Sequence, residues 1–287
     1  MRVVHITDLH GETAPERLNP GIGGVLADAA TLIRAERPDF LFVTGDLTSH
    51  GSSEIEELRA ARRWLDALAV PYLAIAGNHD LGANPWRGER HPEQERYDPR
   101  PFADTHFGQV FGADPLVVTD LGPIVAVGMS LRAGDPDGVL PRLEQALADA
   151  AKPTVLLGHY PLTATRSAGV LSRFGAGDFI PDLVDSLTDT IRSHPAVKLY
   201  AAGHVHVVSR QPLGPGCVQL TTGGLGPGAS AYRRYEVSAG RLDYSTHFGP
   251  GPLSFWERYA PSEAPFSPEY HLGSPFERMG SVSLALP

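Results

Sequence analysis

The sequence has almost no cysteine. Only Cys217 is present among its 287 residues, so the chain cannot form an internal disulfide. A chain of this length buries a core large enough to need no such cross-link, in one large domain or two small ones. Cys217 lies in the run CVQLTT, which is typical of a strand, and we interpret it as a buried core residue rather than a reactive thiol.

Long hydrophobic runs are also missing. No apolar run approaches the roughly 20 residues that a membrane span requires. The first residues, MRVVHITDLH, stay apolar only briefly before an acidic residue, so we expect no signal peptide. Together with the single cysteine, this predicts a cytoplasmic protein without a membrane partner.

The charge shows no basic excess. The chain carries 24 basic and 33 acidic residues, a net charge of −9, without a block of one sign. This balance argues against nucleic acid as a partner. The G-x-S-x-G pattern of one large class of serine hydrolases is absent as well.

Short apolar runs of the length of buried strands recur along the chain. Helical patterns over 22–36 and 53–68 separate the first of these runs, with Ser52 or Ser53 as the predicted N-cap of the second helix, and later helices are predicted over 140–150 and 181–194. After Val197 short strands follow, which predict an antiparallel or mixed second sheet. We therefore predict an α/β (in the wider sense α+β) fold, a sandwich of two sheets flanked by helices.

Two segments differ from this pattern. Residues 82–112 are rich in Pro, Arg, Glu and His, and we interpret them as a long loop with one short helix near 101–107. Residues 248–287 are dense in Pro, Gly and Ser with scattered aromatics. We predict one main domain over 1–247 and a Pro/Gly-rich arm over 248–287 that packs on the domain or on a partner subunit.

Polar residues follow five of the strand-like runs, and ligands of open α/β sheets bind at the carboxyl ends of strands. If these strands point the same way, nine side chains meet in one site. His204 and His206, two residues apart, are predicted to face one side of a strand. Taken singly, each cluster could be a turn, because Gly, Asn and Asp favour turns, but the five together favour a site. The side chains are Asp8, His10, Asp46, Asn78, His79, Asp80, His159, His204 and His206.

The donors are nitrogen and oxygen without sulfur, which suits Mn, Fe, Co, Ni or Zn better than Ca or Mg. One ion takes about four protein groups, so this larger set suits two ions. A carboxylate can bridge two ions, and we predict that Asp46, on its own glycine turn, is the bridge. Two ions about 3.5–4 Å apart can hold a phosphoryl group and a bridging hydroxide that attacks phosphorus in line.

The clusters also occur in the order of a family pattern. They are Asp8-Leu9-His10, Gly45-Asp46, Gly77-Asn78-His79-Asp80, Gly158-His159 and Gly203-His204-Val205-His206. In this the sequence resembles the calcineurin-like metallophosphoesterases. Asp46-Leu47-Thr48 resembles the GDLT motif of their class III branch of cyclic-nucleotide phosphodiesterases and glycerophosphodiesterases, and lacks the Asp-Arg-Gly of the protein phosphatases.

The resemblance implies a four-layer αββα sandwich of two mixed sheets with a dinuclear site at the strand ends. It implies one ion on Asp8, His10, Asp46 and His206, and the other on Asp46, Asn78, His159 and His204. His79 would then contact the phosphoryl or leaving-group oxygen, as a proton donor or charge stabiliser. Asp80 would hydrogen-bond His79 and fix its orientation.

We therefore predict a phosphoester hydrolase with two divalent or trivalent ions of Mn, Fe or Zn. Its substrates would be small-molecule phosphodiesters, cyclic nucleotides or glycerophosphodiesters. A phosphomonoesterase or nucleotide pyrophosphatase on the same site is the alternative, and a non-catalytic interaction scaffold a distant one. A homo-oligomer is also open, and His50 and His106 are further candidates for substrate contact.

Overall fold

A computed structural model describes most of the chain. The described residues are 1–14, 16, 19–82, 98–148, 150–165, 181–226, 230–249 and 271–286. All nine predicted site residues fall within these ranges. Residues 83–97 of the predicted 82–112 loop, and residues 250–270 and 287 of the predicted 248–287 arm, lie outside them.

The first sheet has six strands, of which three precede the predicted ligands. β1, β2 and β3 run parallel to one another, and β10 pairs antiparallel with β1 on the other side. The order across the sheet is β12-β11-β10-β1-β2-β3. The strands are β1 (Arg2–Ile6), β2 (Phe40–Thr44), β3 (Tyr72–Ile75), β10 (Ala231–Ser238), β11 (Arg241–Phe248) and β12 (Met279–Ser283).

The second sheet also has six strands, in the order β4-β5-β6-β7-β9-β8. Its four inner strands are parallel and its two edge strands are antiparallel to their neighbours. The strands are β4 (Leu116–Asp120), β5 (Val125–Met129), β6 (Thr154–Leu157), β7 (Val197–Ala202), β8 (Ser209–Gly214) and β9 (Cys217–Thr221).

Helices cover the outer faces of both sheets. α1 and α2 pack on the first sheet, and α5 and α6 pack on the second. A short 3₁₀ turn over Phe102–Asp104 precedes α4. The helices are α1 (Ile22–Glu36), α2 (Ile55–Ala67), α3 (Asn78–Leu81), α4 (His106–Phe111), α5 (Val139–Ala148), α6 (Pro181–Ser193) and α7 (Pro275–Arg278).

The alternation of side chains along the strands explains the layers. On β1, Val4 and Ile6 face the α1–α2 layer, whereas Val3 faces the second sheet. A fully buried apolar layer between the sheets includes Phe42 from the first and Leu199 from the second. Each such side chain contributes about 1.5–3 kcal/mol on burial. The predicted sandwich of two mixed sheets flanked by helices is confirmed.

Three details of the sequence prediction were wrong. α2 begins at Ile55, and Glu54 rather than a serine holds its N-cap position, because the Ser53 hydroxyl donates to the carbonyl of His50 instead. The hairpin of β4 and β5 went unpredicted. β10 and β11 join the first sheet, since a local hairpin pattern does not specify which sheet the hairpin extends.

The division into a domain and an arm stays a prediction. β11 ends at Phe248, close to the predicted boundary. Residues 271–286 contain α7 and β12, and β12 forms the antiparallel edge strand beside β11. This part of the predicted arm is therefore paired with the first sheet.

Candidate metal centre

The carboxyl ends of five strands meet at one place. Asp8 and His10 follow β1, and Asp46 follows β2. Asn78, His79 and Asp80 form the first turn of α3 directly after β3. The remaining histidines come from the second sheet, His159 after β6 and His204 and His206 after β7. The structure thus brings all the sequence-predicted site residues to one edge of the sandwich.

The backbone at these strand ends is unusual. Five of the predicted ligands have positive φ, a conformation that non-glycine residues seldom adopt. Main-chain hydrogen bonds hold it, for example from His10 N to Asp46 O at 3.0 Å. Strain of this kind concentrates at functional sites. The residues and their φ values are Asp8 (51°), His10 (46°), Asp46 (48°), His204 (68°) and His206 (52°).

The same observation corrects one prediction. His204 and His206 do not share the face of a strand, because β7 ends at Ala202 and both histidines lie in the loop beyond it. They nevertheless reach the site, since the left-handed turns redirect the chain there. The glycines before the site residues are required for different reasons. Gly45 has φ +89°, but Gly77 has φ −105° and is required for space rather than for conformation.

One group of donors consists of Asp8, His10 and His206. His206 Nε2 lies 3.2 Å from Asp8 Oδ1, and His10 Nε2 lies 3.2 Å from His206 Nε2. The carboxylate of Asp8 is oriented by a hydrogen bond, because the Thr7 hydroxyl donates to Asp8 Oδ2 at 2.8 Å. A carboxylate and two imidazoles thus converge with their ligand atoms within 4.8 Å of one another.

A second group consists of Asp46, Asn78, His159 and His204. His159 Nε2 lies 3.3 Å from Asp46 Oδ2, 3.1 Å from Asn78 Oδ1 and 3.2 Å from His204 Nδ1. The other nitrogen of His159, Nδ1, is 2.7 Å from the Thr44 carbonyl and donates to it. That hydrogen bond leaves Nε2 as the nitrogen directed at the group.

Asp46 Oδ2 joins the two groups. It lies 3.3 Å from His159 Nε2 on one side and 3.7 Å from His10 Nε2 on the other. Its partner oxygen, Oδ1, accepts a hydrogen bond from His79 N at 2.9 Å. The carboxylate is therefore oriented by the main chain, with one oxygen left between two sets of nitrogen donors.

Burial and charge set the protonation of these side chains. Burial lowers the pKa of both His10 and His204, and neighbouring histidines lower it further. Burial also lowers the pKa of His159, but the charge of Asp46 outweighs it and raises the pKa to about 9. Burial raises the pKa of Asp46, yet the surrounding histidines hold it well below its usual range.

These donors fit metal ions. Metal ligation requires neutral imidazoles and ionised carboxylates, the states favoured for His10, His204 and Asp46. His204 Nε2 is buried and has no hydrogen-bond partner within the described part of the chain. His10 Nε2 and His206 Nε2 lie 3.2 Å apart, a separation that fits an N–H···N hydrogen bond and also fits two nitrogen ligands of one tetrahedral ion. The donor set of imidazole, carboxylate and amide suits a transition metal.

His79 stands beside both groups. Its Nδ1 lies 2.9 Å from the carbonyl of Ser49 and donates to it, while Nε2 lies 4.0 Å from Asp46 Oδ2. The spacing of ligand atoms would also admit His79 as a ligand together with His10 and Asp46. The position of its ring therefore does not by itself assign it to binding or to proton transfer.

Asp80 does not have the predicted contact. Its carboxylate accepts hydrogen bonds from the N–H groups of Gly77, Leu47 and Thr48 and from the Thr48 hydroxyl, at 2.9–3.2 Å. None of these described bonds comes from the His79 ring. Burial and the negative charge of Asp46 raise the pKa of Asp80 to about 7, although the N–H donors counteract them. Asp80 orders the loop after β2, and Ser49 within that loop orients His79.

Sequence reasoning missed the groups that orient the predicted site residues. Two of them, Thr44 and Ser49, act through main-chain carbonyls, which leave no signal in side-chain identity. Thr7 acts through its hydroxyl, and its position directly before Asp8 was the available signal. His106 places Nδ1 3.1 Å from the Gly51 carbonyl, and its contact with substrate stays a prediction.

In the part of the chain that the structure describes, no helix combines the length and the apolar character needed to cross a membrane.

Comparison with solved structures supports the fold. The structure resembles a dimetal phosphatase from Danio rerio with a TM-score of 0.59 and 14% identity, covering 86% of this chain and 96% of that one. It also resembles a protein described as the anchor in the inner membrane complex of Plasmodium, with a TM-score of 0.51 and 13% identity, covering 93% and 98%. At these identities the likeness concerns the fold alone.

Sequence comparison identifies the family. A probable cyclic nucleotide phosphodiesterase of Synechococcus sp. is 27% identical over 212 residues, 72% of this chain and 73% of that protein. The glycerophosphodiester phosphodiesterase GpdQ of Enterobacter lignolyticus is 37% identical over 86 residues, 28% and 30% of the two chains. The model of the calcineurin-like phosphoesterases, which use divalent metal ions, matches residues 1–208. The chain therefore belongs to the calcineurin-like phosphoesterase family and is a metal-dependent phosphoester hydrolase.

Proposed function

We propose that this chain hydrolyses small-molecule phosphodiesters, of the cyclic nucleotide or glycerophosphodiester type, with two transition-metal ions. The observation that carries the proposal is the position of Asp46 Oδ2, 3.7 Å from His10 Nε2 and 3.3 Å from His159 Nε2. One carboxylate oxygen between two donor sets suits a bridge between two ions. The names of the two relatives, both phosphodiesterases, favour a diester substrate.

The donors divide between the two ions as the resemblance implies. Asp8, His10, Asp46 and His206 would hold one ion, and Asp46, Asn78, His159 and His204 would hold the other. When bound, two such ions lower the pKa of a water molecule and stabilise negative charge on the phosphoryl oxygens. Mn, Fe and Zn all accept this donor set.

His79 would act on the leaving group. Its Nδ1 donates to the Ser49 carbonyl, so Nε2 is the nitrogen that can face a substrate. As the bond between phosphorus and the leaving oxygen breaks, that oxygen gains negative charge. A proton from Nε2 of the imidazolium form of His79 would neutralise it and leave the ring neutral, which typically contributes about 10²–10⁴-fold to a rate.

The first test is turnover of bis-p-nitrophenyl phosphate by purified protein loaded with Mn. We expect about two ions per chain by elemental analysis, because Asp46 serves both donor groups. Asp46→Ala is expected to lose both bound metal and turnover. A wild-type protein that binds no metal would favour the scaffold alternative.

The second test separates His79 from the ligands. His79→Ala is expected to lower kcat by about 10²–10⁴-fold and to keep its metal, since the proposed role of His79 is proton transfer. His247→Ala is the matched control, because that ring lies on β11 beside Glu36, outside the site. If His79→Ala loses its ions instead, His79 is a ligand. Full turnover by this variant would refute the role.

A substrate panel then resolves the ester class. Cyclic nucleotides and glycerophosphodiesters are expected to react faster than nucleotides and simple monoesters. Faster hydrolysis of monoesters, or of the pyrophosphate bond of nucleotides, would replace the proposal with the phosphomonoesterase or nucleotide pyrophosphatase alternative.

A further inference from the structure

Two buried carboxylates hold the loop that follows β2. One is Asp80, which is fully buried and accepts three hydrogen bonds from Leu47 and Thr48 at the start of the loop. Thr48 in turn accepts a hydrogen bond from Gly51 N at 2.9 Å through its hydroxyl oxygen. The first half of the loop is thereby tied to α3.

The other carboxylate is Glu57, in the first turns of α2. It is 3% exposed, although glutamate is rarely buried without a specific partner. Glu57 Oε2 accepts a hydrogen bond from His50 N at 2.8 Å, and Oε1 lies 3.2 Å from His50 Nδ1. One carboxylate thus fixes both the main chain and the ring of the same residue.

Ser49 lies between the two attachment points. Its carbonyl is the acceptor for His79 Nδ1, at 2.9 Å. Two further contacts join the same segments, from His79 N to Asp46 Oδ1 and from Ser52 N to His79 O. A shift of the peptide between residues 49 and 50 would therefore turn the His79 ring directly.

We propose that Glu57 is a positioning residue for His79, acting through His50 and the Ser49 carbonyl, with Asp80 holding the other end of the loop. This rests on the proposed role of His79 in the reaction. A carboxylate is suited to the task because both of its oxygens only accept hydrogen bonds when it is ionised. An amide in its place would direct an NH₂ group at one of the two contacts with His50. That group cannot pair with His50 N–H, and it can pair with His50 Nδ1 only if the proton of the neutral ring moves to Nε2.

The test compares Glu57→Gln with Glu56→Gln in the metal-loaded full chain. Glu56 is the adjacent residue of α2, and its side chain is 63% exposed and paired with Arg59, so the same chemical change there should alter nothing. Glu57→Gln is expected to lower kcat about tenfold to a hundredfold, the effect of a displacement of about 1 Å at a reacting group. KM and metal content should stay unchanged, because the loss concerns the transition state alone.

A double-mutant cycle shows whether the effect passes through His79. In the His79→Ala background, Glu57→Gln is expected to cause no further loss of kcat. An equal loss in both backgrounds, or no loss in either, would overturn the proposal. If Glu57→Gln folds poorly, His50→Ala removes only the ring contact and is expected to give a smaller loss of the same kind.

A spectroscopic readout keeps the two proposals separate. In ¹⁵N-labelled protein loaded with Zn, which is diamagnetic, the Nδ1–H signal of His79 reports its hydrogen bond to Ser49. We expect Glu57→Gln to shift or broaden this signal and Glu56→Gln to leave it in place. An unchanged signal in Glu57→Gln would refute the positioning role. If the wild type hydrolyses nothing in the panel, the proposed function fails, and the NMR comparison still decides the positioning.

Discussion

At the scale of single residues, Asp46 connects several loops of the site. Its carbonyl accepts a hydrogen bond from His10 N, its Oδ1 accepts one from His79 N, and its Oδ2 lies 3.3 Å from His159 Nε2. Three strand ends are thus connected through one residue. Because the Asp46 carboxylate is so closely surrounded, the neighbouring position 77 has no space for a side chain. An added Cβ at Gly77 would lie 2.2 Å from Asp46 Oδ1.

We expect Gly77→Ala to displace Asp46 and to lower both metal content and turnover. The methyl group has no space at 2.2 Å, and the neighbouring Asp46 N would lie only 2.5 Å from it. Gly24→Ala is the control, because no heavy atom lies within 4 Å of its added Cβ and alanine favours a helix by about 1 kcal/mol over glycine. Elemental analysis after dialysis provides the measurement. Wild-type metal content in Gly77→Ala would contradict the packing argument.

At the scale of elements, Arg233 of β10 connects strands of both sheets with the C-terminal segment. Its side chain is fully buried, and within the described ranges it donates to the main-chain carbonyls of Ser209, Thr221 and Glu277. These carbonyls belong to β8, β9 and α7. The guanidinium also lies 5.3 Å from the ring centroid of Tyr244 on β11. Arg233 thus donates hydrogen bonds to main-chain carbonyls of three separate elements at the place where they meet.

Arg233→Ala is expected to lower the free energy of unfolding by about 3 kcal/mol or more, since each buried acceptor left without a donor costs about 1–3 kcal/mol. Arg241→Ala, on an exposed part of β11, should change it by less than about 0.5 kcal/mol. Chemical denaturation of both variants measures the difference. Equal stabilities would show that water replaces the Arg233 contacts.

At the scale of the whole molecule, polar contacts cross the apolar layer between the sheets. His5 on β1 is fully buried and contacts Tyr235 and Thr44 of its own sheet and Thr222, which follows β9 of the other. Burial, assisted by the positive charge of Arg233, lowers the pKa of His5 to about 3. The folded protein therefore keeps this imidazole neutral where the unfolded chain would protonate it.

This difference makes stability depend on pH. Below the unfolded pKa of about 6.5, His5 binds a proton in the unfolded chain but stays neutral in the folded protein. The free energy of unfolding therefore falls as pH falls. The loss from His5 is expected to reach about 2 kcal/mol at pH 5 and up to about 5 kcal/mol near pH 3. Urea titrations of the metal-free wild type and of His5→Asn at several pH values isolate this contribution. Parallel pH profiles would refute it.

Cytoplasmic location, the oligomeric state and the identity of the ions stay predictions at this scale. The preference for small-molecule phosphodiesters likewise stays a prediction, and the described helices include none suited to crossing a membrane.

The sequence by itself identified the family, the parallel strands and the nine side chains that meet at one edge of the sandwich, because each motif is local and follows a strand. Only the tertiary structure decided how those side chains are held. It placed His204 and His206 in left-handed turns rather than on a strand, and gave His79 the Ser49 carbonyl in place of Asp80. It also placed β10 and β11 in the first sheet rather than in the predicted second sheet. The reason is physical: main-chain acceptors and packing between distant segments depend on the path of the whole chain, and no local pattern of residue types encodes them.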